Sequence, residues 1–493
     1  MLVITGIIDR ECLRQSVERV VGRHEALRTG FAWEDGELFQ VVTPDGAFGF
    51  DQQARYESGG PAWESIVAAT EYVQAPFRPE GKSLFGGALI KISADKTCLV
   101  FKAHPLIADQ HSLKVLIHEV LSEYRRLTGE SDALLPAVPL HYTDYSSWQG
   151  DLLDSLGDEA CSYWKNKLNG GNAPLELPGE AGQAAPAFKL GNNHFTIPPV
   201  LVQQLRALSE GEGISTPVVT LAALNILLGR YSGADEVTIG LRADNRSREQ
   251  LAGMIGPVAD TFPLRSEIRP GISAADYFAC LTDLLEEVAE VREVPSAHVR
   301  KHLPAEQEQV FAQLNVVYAY DGAGRELPPV EGWETEIIDL QTPLGRYGWG
   351  FYLREEGPSI TGTIVYNAAS FSDEAVDGFA GHYLNLLEAM LEQPDGPVAE
   401  LSLLSPEDIG QLLQYAEQHY PGGSDGKSVP AMFEEQVERT PEATALSCQG
   451  EAFTYRWLND VSNQLAHHLR AAYAVKPNQV VAILLDRSEW AII

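Results

Sequence analysis

Apolar positions along this 493-residue chain recur with two periods, and segments of each kind alternate. LVITGII at 2–8 is a short apolar run that predicts a strand. Asp9 then stands as a cap before ECLRQSVERVVGRHEAL, where Cys12, Val20 and Val21 share a helical face. FAWEDGELFQVVTP, from Phe31, reads as a hairpin about Asp35-Gly36. Residues 61–73 are predicted helical, and 88–103 form a strand pair turning near Ala94-Asp95. A helix follows at about 110–128, with Leu113, Leu116, Ile117, Val120, Leu121 and Tyr124 on one face. After HYTDYSSWQ a second helix is predicted at about 151–168.

Gly- and Pro-rich sequence at 170–187 then breaks the pattern and marks a crossing between two halves. The second half repeats the same grammar. Strand NHFTIP precedes helices at 198–209 and 216–230, the latter opened by Thr-Pro, and then strand DEVTIGL. Helix 273–291, strands near 313–319, 348–354 and 359–366, and helix 372–392 complete it. Such alternation defines a mixed α/β class. PGGSDGKS at 421–428 has linker composition. A helix, a strand and an amphipathic helix follow, and VVAILLDRS begins what reads as a buried strand. An α/β domain that stops there reads as truncated. The expected boundaries are 1–175 for the first lobe, 176–415 for the second, a linker at 416–428 and a last segment at 429–493.

Composition narrows the function. A formal net charge of −33 repels phosphate backbones, so nucleic-acid binding is disfavoured. Hydrophobic residues make up 44% of the chain, enough for sizeable cores rather than disorder. Cys12, Cys98, Cys161, Cys280 and Cys448 are scattered with no CxxC pair, which points to a reduced, cytoplasmic protein without a disulfide framework or zinc site. No apolar run is long enough for a membrane span. His111 and His118 lie two turns apart with no carboxylate companion, so no metal site is expected there.

One stretch carries candidate chemistry. KAHPLIADQHSL, at 102–113, ends an apolar run with His104, Pro105, Asp109, Gln110 and His111. His and Asp at a strand end suit an active site. Proline offers neither a side-chain acceptor nor a backbone N–H, so Pro105 can neither take a proton nor donate one.

Five segments in order give these residues a register. RHEALRTGF (23–31), YTDYSSWQ (142–149), GMIGPVADTFPLR (253–265), VFAQLNVVYAY (310–320) and ITGTIVYNAASFSDEAV (360–376) resemble motifs of the condensation-domain superfamily of nonribosomal peptide synthetases. The resemblance covers roughly 1–410. FEEQVERTPEATALSCQGEAFTYRWLNDVSNQLAHHLR resembles the start of an adenylation domain, without the later nucleotide loop, catalytic lysine or selectivity pocket. It implies two chloramphenicol-acetyltransferase-like lobes forming a V around a tunnel, with a partial adenylation-domain fragment after them. The family ordinarily carries a further strand-and-helix segment before the point where Met1 stands, so a first segment reads as missing.

In the family's HHxxxDG motif the first His corresponds to His104 and the Asp to Asp109, while Pro105 replaces the second His and Gln110 the Gly. The resemblance implies that Asp109 is structural and paired with an arginine. Arg28 and Arg265 are the candidates to support the site in this way. His111 is the candidate to take over proton handling, since an imidazole has a suitable pKa. EVPSAH (293–298) stands where the family has QDxPFE, and Asp260 where it has Asn. The implied partners are upstream and downstream peptidyl carrier domains, an adenylation domain in cis, and a tailoring oxygenase of the kind that degenerate relatives recruit. No cofactor is expected on the chain itself, the phosphopantetheine arms belonging to the carriers. Three readings stand open: a platform that has lost condensation, an active condensation domain assisted by His104 or His111, and a decayed gene.

Overall fold

In the computed structural model, the described residues are 1–44, 50–51, 72–73, 75, 77, 84–93, 95–170, 175, 177, 189–269, 271–322, 327–337, 348–419, 427–448, 451–476, 481–482, 484–485 and 488–493. The predicted helix at 61–73, the turn at Ala94, the crossing at 170–187 and the linker at 421–428 lie wholly or largely outside them. The chain divides into two units, Met1–Leu403 and Leu404–Ile493.

The first unit opens with β1 (Leu2–Thr5), α1 (Arg10–Arg23), β2 (Thr29–Glu34), β3 (Glu37–Val42), β4 (Phe50–Asp51), β5 (Phe85–Lys91), β6 (Lys96–Ala103), α2 (Gln110–Leu127) and α3 (Tyr142–Lys167). It continues with β7 (Leu190–Ile197), α4 (Pro199–Glu212), α5 (Thr216–Ser232), β8 (Glu236–Ala243), β9 (Asp260–Glu267), α6 (Ala274–Val291), α7 (Ser296–His302) and α8 (Ala305–Gln313). Then come β10 (Val316–Asp321), β11 (Glu334–Ile337), β12 (Trp349–Glu356), β13 (Ser359–Asn367) and α9 (Asp373–Glu392).

Local signals set several of these elements. The Asp9 carboxylate accepts from the N–H groups of Glu11 and Cys12, each at 3.0 Å, and starts α1. Asp35 (φ 52°) and Gly36 (φ 85°) are both left-handed, the geometry of a two-residue hairpin turn. Helix α3 begins at Tyr142, nine residues before the expected start. The Asp144 carboxylate accepts from the His141 N–H at 2.9 Å and caps it there, and the helix runs through Gly150 unbroken. YTDYSSWQ is thus the first part of the helix rather than a loop before it.

Among the described residues two larger sheets carry the unit, and β2 and β3 form a separate two-stranded one. One larger sheet has the order β11-β1-β6-β5-β4, the other β7-β13-β12-β10-β8-β9. Helices α1 and α2 pack beside the first sheet in a core that includes Leu13, Val17, Leu99, Leu116 and Val120. Helix α5 is buried on nearly every side between the second sheet and α9. Its polar Thr220 is satisfied, with Oγ1 2.8 Å from the Tyr318 hydroxyl and its carbonyl accepting from Tyr383 at 3.1 Å. Helices α4 and α5 together are apolar enough to resemble a bent membrane span, but no single helix among the described residues is long and apolar enough to cross a membrane.

Strand β11 departs from the two-half pattern. It follows β10 of the second sheet, yet pairs antiparallel with β1 in the first, Leu2 opposite Ile337 and Thr5 opposite Glu334. The Trp333 indole N–H donates to the Ile7 carbonyl at 2.9 Å, and its ring lies 4.6 Å from that of Tyr124. Gly6 makes the approach possible: its φ is 148°, and a Cβ there would sit 2.6 Å from the Gly332 carbonyl oxygen.

The second unit holds α10 (Pro406–His419), α11 (Val429–Arg439), β14 (Thr444–Cys448), β15 (Glu451–Thr454) and α12 (Tyr455–Tyr473). The expected linker at 416–428 therefore begins inside α10. The expected buried strand at VVAILLDRS is absent among the described residues there, where Leu484 is 99% exposed. A doubly buried strand needs neighbours on both sides, and the described residues of this unit provide only a two-stranded sheet.

The tight crossing at Gly6 sets an expectation. Gly6→Ala strains the backbone and strikes Gly332, so urea denaturation should show a loss of about 1–3 kcal/mol. Gly36→Asn at the open hairpin turn should change stability by less than about 1 kcal/mol.

Candidate functional site

Strand β6 ends at Ala103 and the chain turns through His104–Asp109 before α2 begins. Asp109 caps that helix, its Oδ1 accepting from the Ser112 N–H at 2.9 Å and the Ser112 hydroxyl at 2.7 Å. The same carboxylate meets the guanidinium of Arg246, at 2.8 Å from Nη1 to Oδ2 and 3.0 Å from Nη2 to Oδ1. The N–H groups of Val258 and Ala259 each donate to Oδ2 at 3.0 Å. Both side chains are buried, Arg246 2% exposed and Asp109 4%. Burial pushes the Asp109 carboxyl up, but Arg246 and Ser112 outweigh it and hold it below the ordinary value of 3.8. Six donors surround two oxygens, so Asp109 joins α2 to the segments flanking β8 and β9 and has no acceptor capacity left for substrate.

The sequence offered Arg28 and Arg265 as partners of Asp109; in the structure the partner is Arg246. Arg28 Nη1 donates to the Thr43 carbonyl at 2.6 Å beside the hairpin. Arg265 Nη1 donates to the Asn169 carbonyl at 2.8 Å, and Nη2 pairs with Glu236 at 2.7 Å. Arg265 stands five residues along β9 from Asp260, about 17 Å at strand rise, beyond reach of the Asp109 contacts at 258–259. Arg246 reaches Asp109 because Asn245 adopts φ 56° and turns the chain just past β8. A charged residue directly after a strand end and an Asn was the available signal.

His104, Pro105 and His111 part company. His104 Nδ1 accepts from the Leu106 N–H at 3.2 Å, and its carbonyl accepts from Ile107 and Ala108. Pro105 and Leu106 are exposed. A cavity of about 690 Å³ lies between the two sheets, and its lining includes Gln110, His111 and Lys114 of α2, Asp244 beyond β8, Asp321 of β10 and Arg354 of β12. Neither His104 nor Pro105 lines it. His111 does, but both its ring nitrogens face protein oxygens: Nε2 is 2.9 Å from the Ala252 carbonyl and Nδ1 3.3 Å from Asp244 Oδ2. The other Asp244 oxygen contacts Arg246, so a chain of side-chain contacts runs from Asp109 through Arg246 and Asp244 to His111. Lys114 pairs with Asp321, which Arg354 Nε also contacts at 3.3 Å, placing an ion-pair cluster across the cavity.

Two departures from the family pattern contact each other. Asp260 accepts from the Ser296 N–H and hydroxyl, both at 2.7 Å, at the first residue of α7. The carboxylate and the hydroxyl thus complement one another where the family has Asn and an aromatic residue. His24 is buried, with Nε2 2.8 Å from Glu119. Burial raises the Glu119 carboxyl, and contacts with His24 and Arg23 more than offset it.

Comparison with known proteins then fixes the class. The chain belongs to the condensation-domain family, whose model matches residues 1–413, and an AMP-binding enzyme model matches 433–493. Surfactin synthase subunit 2 of Bacillus subtilis (strain 168) is 26% identical over 491 residues, 99% of this chain and 13% of that protein. The fold is that of solved condensation-type structures. The X-domain in complex with OxyB from teicoplanin biosynthesis superposes with a TM-score of 0.66 at 21% identity, covering 82% of this chain and 90% of that one. A four-domain nonribosomal peptide synthetase bound to AMP and glycine gives 0.70 at 15% identity, covering 96% and 37%. The chain is thus a condensation domain followed by the N-terminal part of an adenylation domain, in the mixed α/β, two-lobed fold expected.

Removing Asp109 leaves Arg246 charged and buried, so Asp109→Ala should lower stability by about 3–5 kcal/mol in urea denaturation. The Asp109 carboxyl sits below its ordinary 3.8, so its contribution is complete above about pH 4 and is lost as pH falls through the folded value. Acid unfolding of Asp109→Asn should accordingly show a shallower limb below about pH 4 than the parent. In a double-mutant cycle, Asp260→Ala and Ser296→Ala should couple by about 0.5–3 kcal/mol, whereas two unrelated side chains would be additive.

Proposed function

We propose that this domain works in a cytoplasmic nonribosomal peptide synthetase on carrier-bound aminoacyl or peptidyl thioesters, but has lost most peptide-bond formation and serves as a platform. Its partners are upstream and downstream peptidyl carrier domains, whose phosphopantetheine arms present the substrates, and an adenylation domain in cis. A tailoring oxygenase is the partner it would recruit, by analogy with the X-domain solved with OxyB.

The engagement of His111 carries this reading. Condensation requires an amine nitrogen to attack a thioester carbon, expel the phosphopantetheine thiolate and pass its proton on. Orientation of two tethered substrates supplies much of the acceleration. A general base adds about 10²–10⁴-fold. Pro105 lacks the acceptor, His104 lies outside the cavity wall, and His111 turns Nε2 to a backbone carbonyl and Nδ1 to a carboxylate. The ion-pair cluster of Lys114, Asp321 and Arg354 lies in the same cavity.

A second reading has one observation in its favour. Asp244 on Nδ1 is the kind of carboxylate contact that orients a catalytic imidazole, and a turn of the His111 ring away from Ala252 would free Nε2. The two readings part in an assay with a loaded donor carrier, a loaded acceptor carrier and the full synthetase module. The platform reading expects no dipeptide above the uncatalysed rate, the same result in His111→Ala, and measurable binding of the oxygenase. Robust dipeptide formation abolished by His111→Ala would overturn it and establish His111 as the base.

A further inference from the structure

Cys161 of α3 and His298 and His302 of α7 converge although about 140 residues of sequence separate them. Their ligand atoms all lie within 4.8 Å of one another. We propose that these three side chains bind a divalent late transition metal, zinc by ligand class, that staples α3 to α7. A thiolate and two imidazoles form the mixed sulfur and nitrogen set that zinc favours, in a tetrahedron whose ligand atoms stand about 3.3–3.8 Å apart. Small rotations of exposed and half-buried side chains close the difference.

The local geometry prepares the ligands. His298 and His302 are four residues apart on one helix and so share a face, with ring centroids 4.4 Å apart. His302 Nδ1 donates to the His298 carbonyl at 2.9 Å. That bond fixes the tautomer and leaves the Nε2 lone pair of His302 for a metal, the arrangement typical of ligating histidines. Gly157, one turn before Cys161 on α3, makes room for the His298 ring: a Cβ there would stand 3.3 Å from His298 Nε2. Water would complete the coordination beside these three side chains. Helix α7 is held at its start by Asp260, so its two imidazoles are presented from a fixed end. None of the three ligands lines the cavity, and the site stands independently of the platform reading.

The test uses the full chain with the metal alone. Titration with zinc against a chelating dye should show one equivalent bound with roughly micromolar or tighter affinity. Cys161→Ser and His302→Ala should each weaken it at least about tenfold. With cobalt(II), a thiolate-to-metal charge-transfer band should appear in the near ultraviolet and vanish in Cys161→Ser, which keeps the other four cysteines. Circular dichroism of the metal-free variants should match the parent, and zinc should raise the melting temperature of the parent but not of the variants. Binding no tighter than millimolar, or binding and a cobalt band that survive both substitutions, would overturn the proposal.

Discussion

The buried pair of Asp109 and Arg246 is the constraint on which the rest of the site depends. Two charges so fully removed from water persist only when every oxygen and most guanidinium hydrogens find partners. The six donors on Asp109 come from the start of α2, the loop after β8 and the segment before β9. One carboxylate therefore ties the start of α2 to two segments more than 130 residues further along the chain. The Gly256 N–H donates to the Ser112 hydroxyl at 3.0 Å, which draws the third segment to the same helix end. The motif's aspartate is thus a structural post, and its retention says nothing about turnover.

Around that post the neighbouring motif positions make contacts of their own. Pro105 removes an imidazole, yet the loop keeps its backbone bonds from His104 to Ile107 and Ala108. Asp260 and Ser296 bond each other where the family has a different pair. His111 contacts Asp244, which in turn contacts Arg246 beside Asp109.

Local signals in the sequence were legible, and distant ones were not. Asp9 as a cap and Asp35-Gly36 as a turn depend on neighbours a few residues away, and both are present as expected. The start of α3 lies earlier than the pattern predicts because the Asp144 carboxylate caps the helix at His141. Arg246 escaped notice because a φ of 56° at Asn245, and not any spacing, aims it at Asp109. Helices α7 and α8 were not foreseen, and the meeting of Cys161 with His298 and His302 needed the fold. The widely scattered cysteines had argued against a metal site only because spacing along a chain is blind to convergence across it.

The strand that the second half lends to the first sheet also bears on how the protein is made. The edge of β1 that receives β11 cannot be covered until residue 337 has been synthesised. At about 5–20 residues per second, roughly 10–50 s pass between completion of β6 and arrival of β11. During that interval an open strand edge stands on the nascent chain, a template for pairing with neighbouring chains. The sheet is therefore finished late, by a contact of very high sequence separation, and such contacts form slowly. Ribosome spacing and chaperone coverage over this stretch become part of the protein's physical chemistry.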